Sequence, residues 1–167
     1  NPTFINPVME YMTCIDCNTV YGSGSAFQLH DSDGGRMQHL ACLRPHGDGG
    51  CVSSYYSTGL YMADVWCKDT TYVEGQVNGN FCWDIDLGND GVVVERIFGI
   101  DSPGLESVSG CSGGQSCSGI FGAIIGSRNV RASSLISVRA RVGILVSEPV
   151  ESPFDIAGID CFLFSFI

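Results

Sequence analysis

The chain has a single lysine, Lys68, and only seven alanines among 167 residues. No apolar run reaches the roughly 18 residues that a membrane-crossing helix needs. The closing run Cys161–Ile167 is far shorter than that. A formal charge of −10 argues against nucleic acid or an anionic membrane as partner, since phosphate binding needs a basic surface. Asn-x-Ser/Thr with a permitted middle residue is absent, since Asn1 is followed by Pro2. P-loop and dinucleotide-binding glycine patterns are missing, as is a Gly-x-Ser-x-Gly nucleophile elbow. The chain starts at Asn1 with no hydrophobic leader, which fits a mature secreted product whose signal peptide has been processed away.

Against these shortages stand 15 valines, 13 isoleucines, 22 glycines and 19 serines. Glycine and β-branched residues weaken helices, and the latter fit a pleated sheet. The expected fold is therefore mainly β: a single disulfide-stabilised β-sandwich or barrel-like domain over 1–167, with long Gly/Ser-rich loops. Val138–Val146 is the clearest strand, with Val138, Ala140, Val142, Ile144 and Val146 on one face. Ala26–Leu29, Tyr55–Val65, Thr70–Val77 and Val92–Ile100 are further strands, and Asn89-Asp90-Gly91 is a turn. Ile120–Ile125 suits a strand or one helical turn, Val130–Ser137 a short helix, and Asp101–Ser118 a surface loop. The final run alternates Phe162, Phe164 and Phe166 against Leu163 and Ile167, a strand able to support oligomerisation. No internal repeat is evident by periodicity.

Nine cysteines point to an oxidising, extracellular location. Cys14, Cys17, Cys42, Cys51, Cys67 and Cys82 are expected to pair among themselves, and Cys111 with Cys117, leaving Cys161 as a free thiol. Cys14-Ile15-Asp16-Cys17 lacks the helix that would lower a redox thiol's pKa, so its cysteines are expected to bond to separate partners. The cysteine spacing matches no zinc motif, and no cofactor is implied.

His30, His39 and His46 lie among acidic residues without a compact ligand spacing. Asp84, Asp86 and Asp90 match a calcium loop only loosely, and the glutamate that closes an EF-hand is missing. Arg128, Arg131, Arg139 and Arg141 form either a basic patch or a set of counter-charges. The strongest binding signal is aromatic. Tyr55, Tyr56, Tyr61, Trp66 and Trp83, with Tyr72 and Phe81, crowd into under thirty residues. The favoured function is a secreted, non-enzymatic effector, toxin-like or cell-surface factor recognising a protein partner through an aromatic or arginine patch. A carbohydrate-binding module or lectin for a glycan ranks second, then a secreted hydrolase, then a structural filament subunit.

Overall fold

The structure, a computed structural model, describes residues 3–17, 25–45, 50–70, 81–101, 120–140 and 142–147. These residues form twelve strands: β1 (Phe4–Ile5), β2 (Val8–Ile15), β3 (Ser25–His30), β4 (Ser32–Asp33), β5 (Arg36–Leu43) and β6 (Gly50–Tyr55), followed by β7 (Tyr61–Lys68), β8 (Phe81–Asp86), β9 (Val93–Ile100), β10 (Ile120–Ile125), β11 (Arg131–Val138) and β12 (Val142–Ser147).

Every pairing between them is parallel. Sheet I runs β11-β9-β7-β5-β2 and sheet II runs β12-β10-β8-β6-β3. Successive strands of the chain thus alternate between sheets, and each circuit lies directly on the one before it. The chain winds as a solenoid of five coils. A third, narrow ladder at one corner links Asp33, Thr58, Asp90 and Arg128.

This corrects the sandwich or barrel expected from the sequence. Sandwiches and small barrels of short strands are normally antiparallel, whereas here parallel strands stack coil on coil. It also corrects the absence of a repeat. In register, Val8, Arg36, Tyr61, Val93 and Arg131 start equivalent strands, so the coil period drifts and no fixed spacing marks it. The aligned stretches read SDGGRMQHLAC, STGLYMADVWC, NDGVVVERIFG and SRNVRASSLIS.

Left-handed backbone occurs in columns that follow the coils. Asn6, Gly34, Gly59, Gly91 and Asn129 turn one corner with positive φ. Tyr11, His39, Asp64, Arg96 and Ser134 do so in the middle of each sheet I strand, and Asp16, Arg44, Asp69, Asp101 and Arg139 at its end. The mid-strand bend explains why alternation misleads. In β5, Met37 points inward, Gln38 and His39 both face out, and Leu40 and Cys42 return to the interior. Strict period two cannot register that pattern.

Three strand assignments change accordingly. Val138–Val146 is divided, because β11 ends before the left-handed Arg139 and β12 begins afresh. Tyr55–Val65 is split by the corner at Tyr56–Leu60, and Val130–Ser137 is strand β11 rather than helix. Ile120–Ile125 is a strand. Most of Thr70–Val77, the loop at 102–118 and the final run at 161–167 lie outside the described residues.

The core is the space between the sheets, filled by columns such as Met37, Met62 and Val94 or Leu40, Val65, Ile97 and Leu135, all fully buried. One column carries the cross-links. Cys14, Cys42 and Cys67 are register mates. Three disulfides join the described residues: Cys14–Cys17, Cys42–Cys51 and Cys67–Cys82, the last two fastening sheet I to sheet II. Cys14 and Cys17 therefore bond to each other, not to separate partners. In the next coil Gly99 continues the column. A Cβ there would sit 2.7 Å from the Phe121 ring, so an aromatic side chain fills the space that a disulfide occupies below. Cys111, Cys117 and Cys161 lie outside the described residues.

The corner has its own polar column. Ser32, Ser57, Asn89 and Ser127 are buried one above another. The Asn89 amide donates to the carbonyl of Ser54, and its oxygen accepts from Ser57 N–H at 3.0 Å and from the Ser54 hydroxyl at 2.9 Å. These bonds satisfy backbone groups that the turn would otherwise leave bare.

Candidate functional site: the outer face of sheet I

Beyond its mid-strand bend, each sheet I strand offers two outward positions. Across the five coils the first reads Thr13, Ala41, Trp66, Phe98 and Ile136; the second reads Ile15, Leu43, Lys68, Ile100 and Val138. Between them the inward residues Cys42, Cys67 and Gly99 are buried. Eight of these ten outward side chains are apolar, and none belongs to the buried interior. Ile15 is 59 % exposed and Ile136 40 %. Coil spacing of about 4.8 Å makes the strip roughly 19 Å long, with its two rows roughly 7 Å apart. A contiguous apolar strip on an outward sheet face is unusual for a water-facing surface.

Two polar rails border the strip, both set by the left-handed columns. On one side Arg36 pairs with Glu10, and the Gln38 amide donates to Glu10 at 2.6 Å. Tyr11 stacks on His39 with ring centroids 4.6 Å apart. Arg96 holds Asp64 with two bonds, at 2.7 and 3.0 Å, and also donates to Glu95 and to the Tyr61 hydroxyl. The guanidinium of Arg96 keeps the Asp64 carboxyl below its ordinary range. On the other side Arg44 grips Asp16 through two bonds, at 2.5 and 2.7 Å, and Arg139 pairs with Asp101. Hydrogen bonding to Asp16 raises the Arg44 pKa further. The face thus combines an apolar centre with a charged, hydrogen-bonded rim.

The aromatic residues singled out in the sequence divide among three places. Trp66 lies at the centre of the strip, and Tyr61 stands on the same face within the first rail. Trp83 is fully buried in the core, where it meets Phe121 edge to face. Tyr55 and Tyr56 sit at the end of sheet II and the adjoining corner, both near the His30 ring. Phe98 and Ile136 were not anticipated as binding residues. The signal that finds them is the register with Trp66, which requires the coil alignment.

The outer face of sheet II is more enclosed, apolar where Phe81 and Ala123 pack with Ile125 and Leu145 and polar around Ser53 and Asp84. Ser25 and Ser53 hydroxyls are 2.6 Å apart, and the Tyr55 hydroxyl donates to Asp84 at 3.5 Å. Asp84 is only 3 % exposed and its other carboxylate oxygen has no partner. Burial pushes its carboxyl well above the ordinary range, with the nearby Asp86 charge adding to the effect. Asp86 is raised by burial too. Asp90 instead sits at the corner, bonded to Arg128 and Asn129, so the three aspartates do not converge. Among the described residues no group of three or more His, Cys, Asp or Glu side chains is placed to hold a metal. His30 contacts Asp31 and His39 lies near Asp64, both at the surface, while His46 is outside the described residues. Arg128 and Arg139 are counter-charges to carboxylates on the preceding coil. Among the described residues no helix is long and apolar enough to cross a membrane.

Comparison with protein-family models, with curated proteins and with solved structures gave no match to this chain.

Proposed function

We propose that the chain is a secreted, non-enzymatic binding module that docks a protein partner on the outer face of sheet I. The observation that carries this reading is the apolar strip through Ala41, Trp66, Phe98 and Ile136, framed on both sides by ion-paired rails. Two cross-sheet disulfides beneath the strip fix its backbone. A pre-ordered face loses little conformational freedom on association, so more of the gain from burying Trp66 and Phe98 is retained as affinity. Disulfides persist in oxidising compartments, which supports an extracellular location. A glycan-binding reading would call for two coplanar rings on the face; the stacked pair nearest the strip is Tyr11 with His39, in the rail.

Parallel screening of the chain against arrays of extracellular proteins and of glycans tests this proposal. The expected result is a protein ligand whose binding falls on the order of tenfold or more when Trp66 and Phe98 are both changed to serine. Glycan binding with that sensitivity, or protein ligands indifferent to both changes, would overturn the assignment.

A further inference from the structure

We infer that the partner seated on this face is a second copy of the same chain, packed sheet I to sheet I about a two-fold axis that runs parallel to the strands. The inference rests on the binding-face reading above and adds the identity of the occupant. Such an axis preserves strand direction and reverses coil order, so the first coil of one copy meets the fifth of the other and the third meets itself. The sequence of the strip is self-complementary under that operation.

In the row nearest the bend, Thr13 meets Ile136 of the second copy, Ala41 meets Phe98, and Trp66 meets its own equivalent on the axis. In this row each large side chain off the axis faces a small one, which lets the two sheets interdigitate. In the second row Ile15 meets Val138 and Leu43 meets Ile100, apolar against apolar. The charged rail beyond follows the same logic. Its order along the coils is Asp16, Arg44, Asp69, Asp101, Arg139. Reversed, this places Asp16 against Arg139 of the second copy and Arg44 against Asp101. The Asp16–Arg44 ion pair of one copy therefore lies against the Asp101–Arg139 pair of the other in opposite polarity. At the axis the two Asp69 carboxylates would repel, but Lys68, one residue earlier, brings an ammonium from each copy to the same place.

The alternative two-fold, parallel to the coil axis, lacks this match. It would set coil against like coil and one rail against the other, with His39 opposite Arg44, Asp64 opposite Asp69 and an attractive contact only where Arg96 meets Asp101. In the favoured packing the mid-strand rail sets Tyr11 against Ser134, His39 against Arg96 and Asp64 against itself, so the charge match that selects the second copy and its orientation lies in the Asp16–Arg139 rail.

Analytical ultracentrifugation of the oxidised chain provides the test, using two charge reversals and their mixture. Arg44→Asp creates two carboxylate–carboxylate contacts in the homodimer, and Asp101→Arg creates two arginine–arginine contacts. A mixture of the two variants can form a heterodimer with one native pair and one exchanged pair, both attractive. The native chain is expected to dimerise, each variant alone to dimerise on the order of tenfold or more weakly, and the equimolar mixture to recover most of the native affinity. Circular dichroism of each variant shows whether the fold is retained; the pairs lost within the chain are exposed and contribute little to it. A native chain that stays monomeric, a dimer indifferent to both reversals, or a mixture that fails to recover overturns the inference. Array binding that still depends on Trp66 and Phe98 in a monomeric chain would leave the binding-face reading standing with a different partner.

Discussion

Gly122 lies in the core column that runs Phe27, Val52, Trp83, Gly122 and Ile144 through sheet II. A Cβ built on Gly122 would fall 2.0 Å from Cε2 and 2.2 Å from Nε1 of Trp83. The indole is fully buried, with Phe121 packed edge to face against it, so it has nowhere to retreat without displacing a second aromatic ring. The backbone of Gly122 is not left-handed, and alanine there gains about 0.4–1 kcal/mol by restricting the unfolded chain. Overpacking a closed core costs about 1–3 kcal/mol and sometimes more. Contact at 2 Å belongs at the upper end, so Gly122→Ala is expected to lose about 2 kcal/mol net. Urea unfolding followed by tryptophan fluorescence reads the loss as a lower midpoint at unchanged slope. Trp83→Phe should recover part of it in the double variant, because the added methyl then enters space vacated by the indole. A Gly122→Ala chain as stable as the native one, or a double variant showing no coupling, would refute the packing argument.

Removing the Cys67–Cys82 bridge by serine substitution opens a loop of 15 residues in sequence separation and should cost about 3 kcal/mol in the chain-entropy model. Thermal unfolding with and without reductant measures it. Asn89→Ala leaves the Ser57 N–H and the Ser54 carbonyl without their buried partners and should cost about 2–4 kcal/mol, read from denaturant midpoints. Asp84→Asn bears on pH. The folded-state pKa of Asp84 is raised, so its ionisation opposes folding progressively as pH rises above the unfolded value near 3.9. The asparagine variant should match the native chain at pH 3 and exceed its stability at pH 7; a gap that stays constant with pH would sink that account. Asp64 acts in the opposite sense. Its lowered pKa supplies stability above about pH 4 that is lost as the carboxyl is protonated, so Arg96→Gln should flatten the acid limb of the stability profile.

Strand-rich character, bounded strands at Ala26–Leu29 and Val92–Ile100 and the turn at Asn89–Gly91 were all legible in the chain. So was the use of Cys42, Cys51, Cys67 and Cys82 as cross-links. Architecture was not, for two physical reasons. The coil lengthens at the connection between β9 and β10, so equivalent residues are not equally spaced and a search by fixed period passes over them. The mid-strand bend at His39, Asp64 and Arg96 puts two neighbouring residues outside, so a template of strict alternation loses register halfway along each strand. Trp66 was recognisable as a binding candidate by type. Trp83, of the same type, is buried in the core together with its neighbour Cys82, a pair that strict alternation does not allow, and only the register separates it from Trp66.

The division of labour between the two faces follows from how a parallel solenoid is built. Every coil adds one residue to each column, so a column's character is fixed by repetition rather than by any single side chain. Inward columns are apolar or hydrogen-bonded (methionine, leucine, cysteine and the Ser–Asn corner), with Ser32 Oγ and Trp83 Nε1 the exceptions among the described residues. Outward columns carry no such demand, which leaves water-loving residues as the default. The second outward column of sheet I departs from that default at Ile15, Leu43, Ile100 and Val138, while the rail one residue further on is charged in all five coils. On the proposed binding reading, an apolar column beside a fully charged one supplies a centre that excludes water and a border that sets orientation.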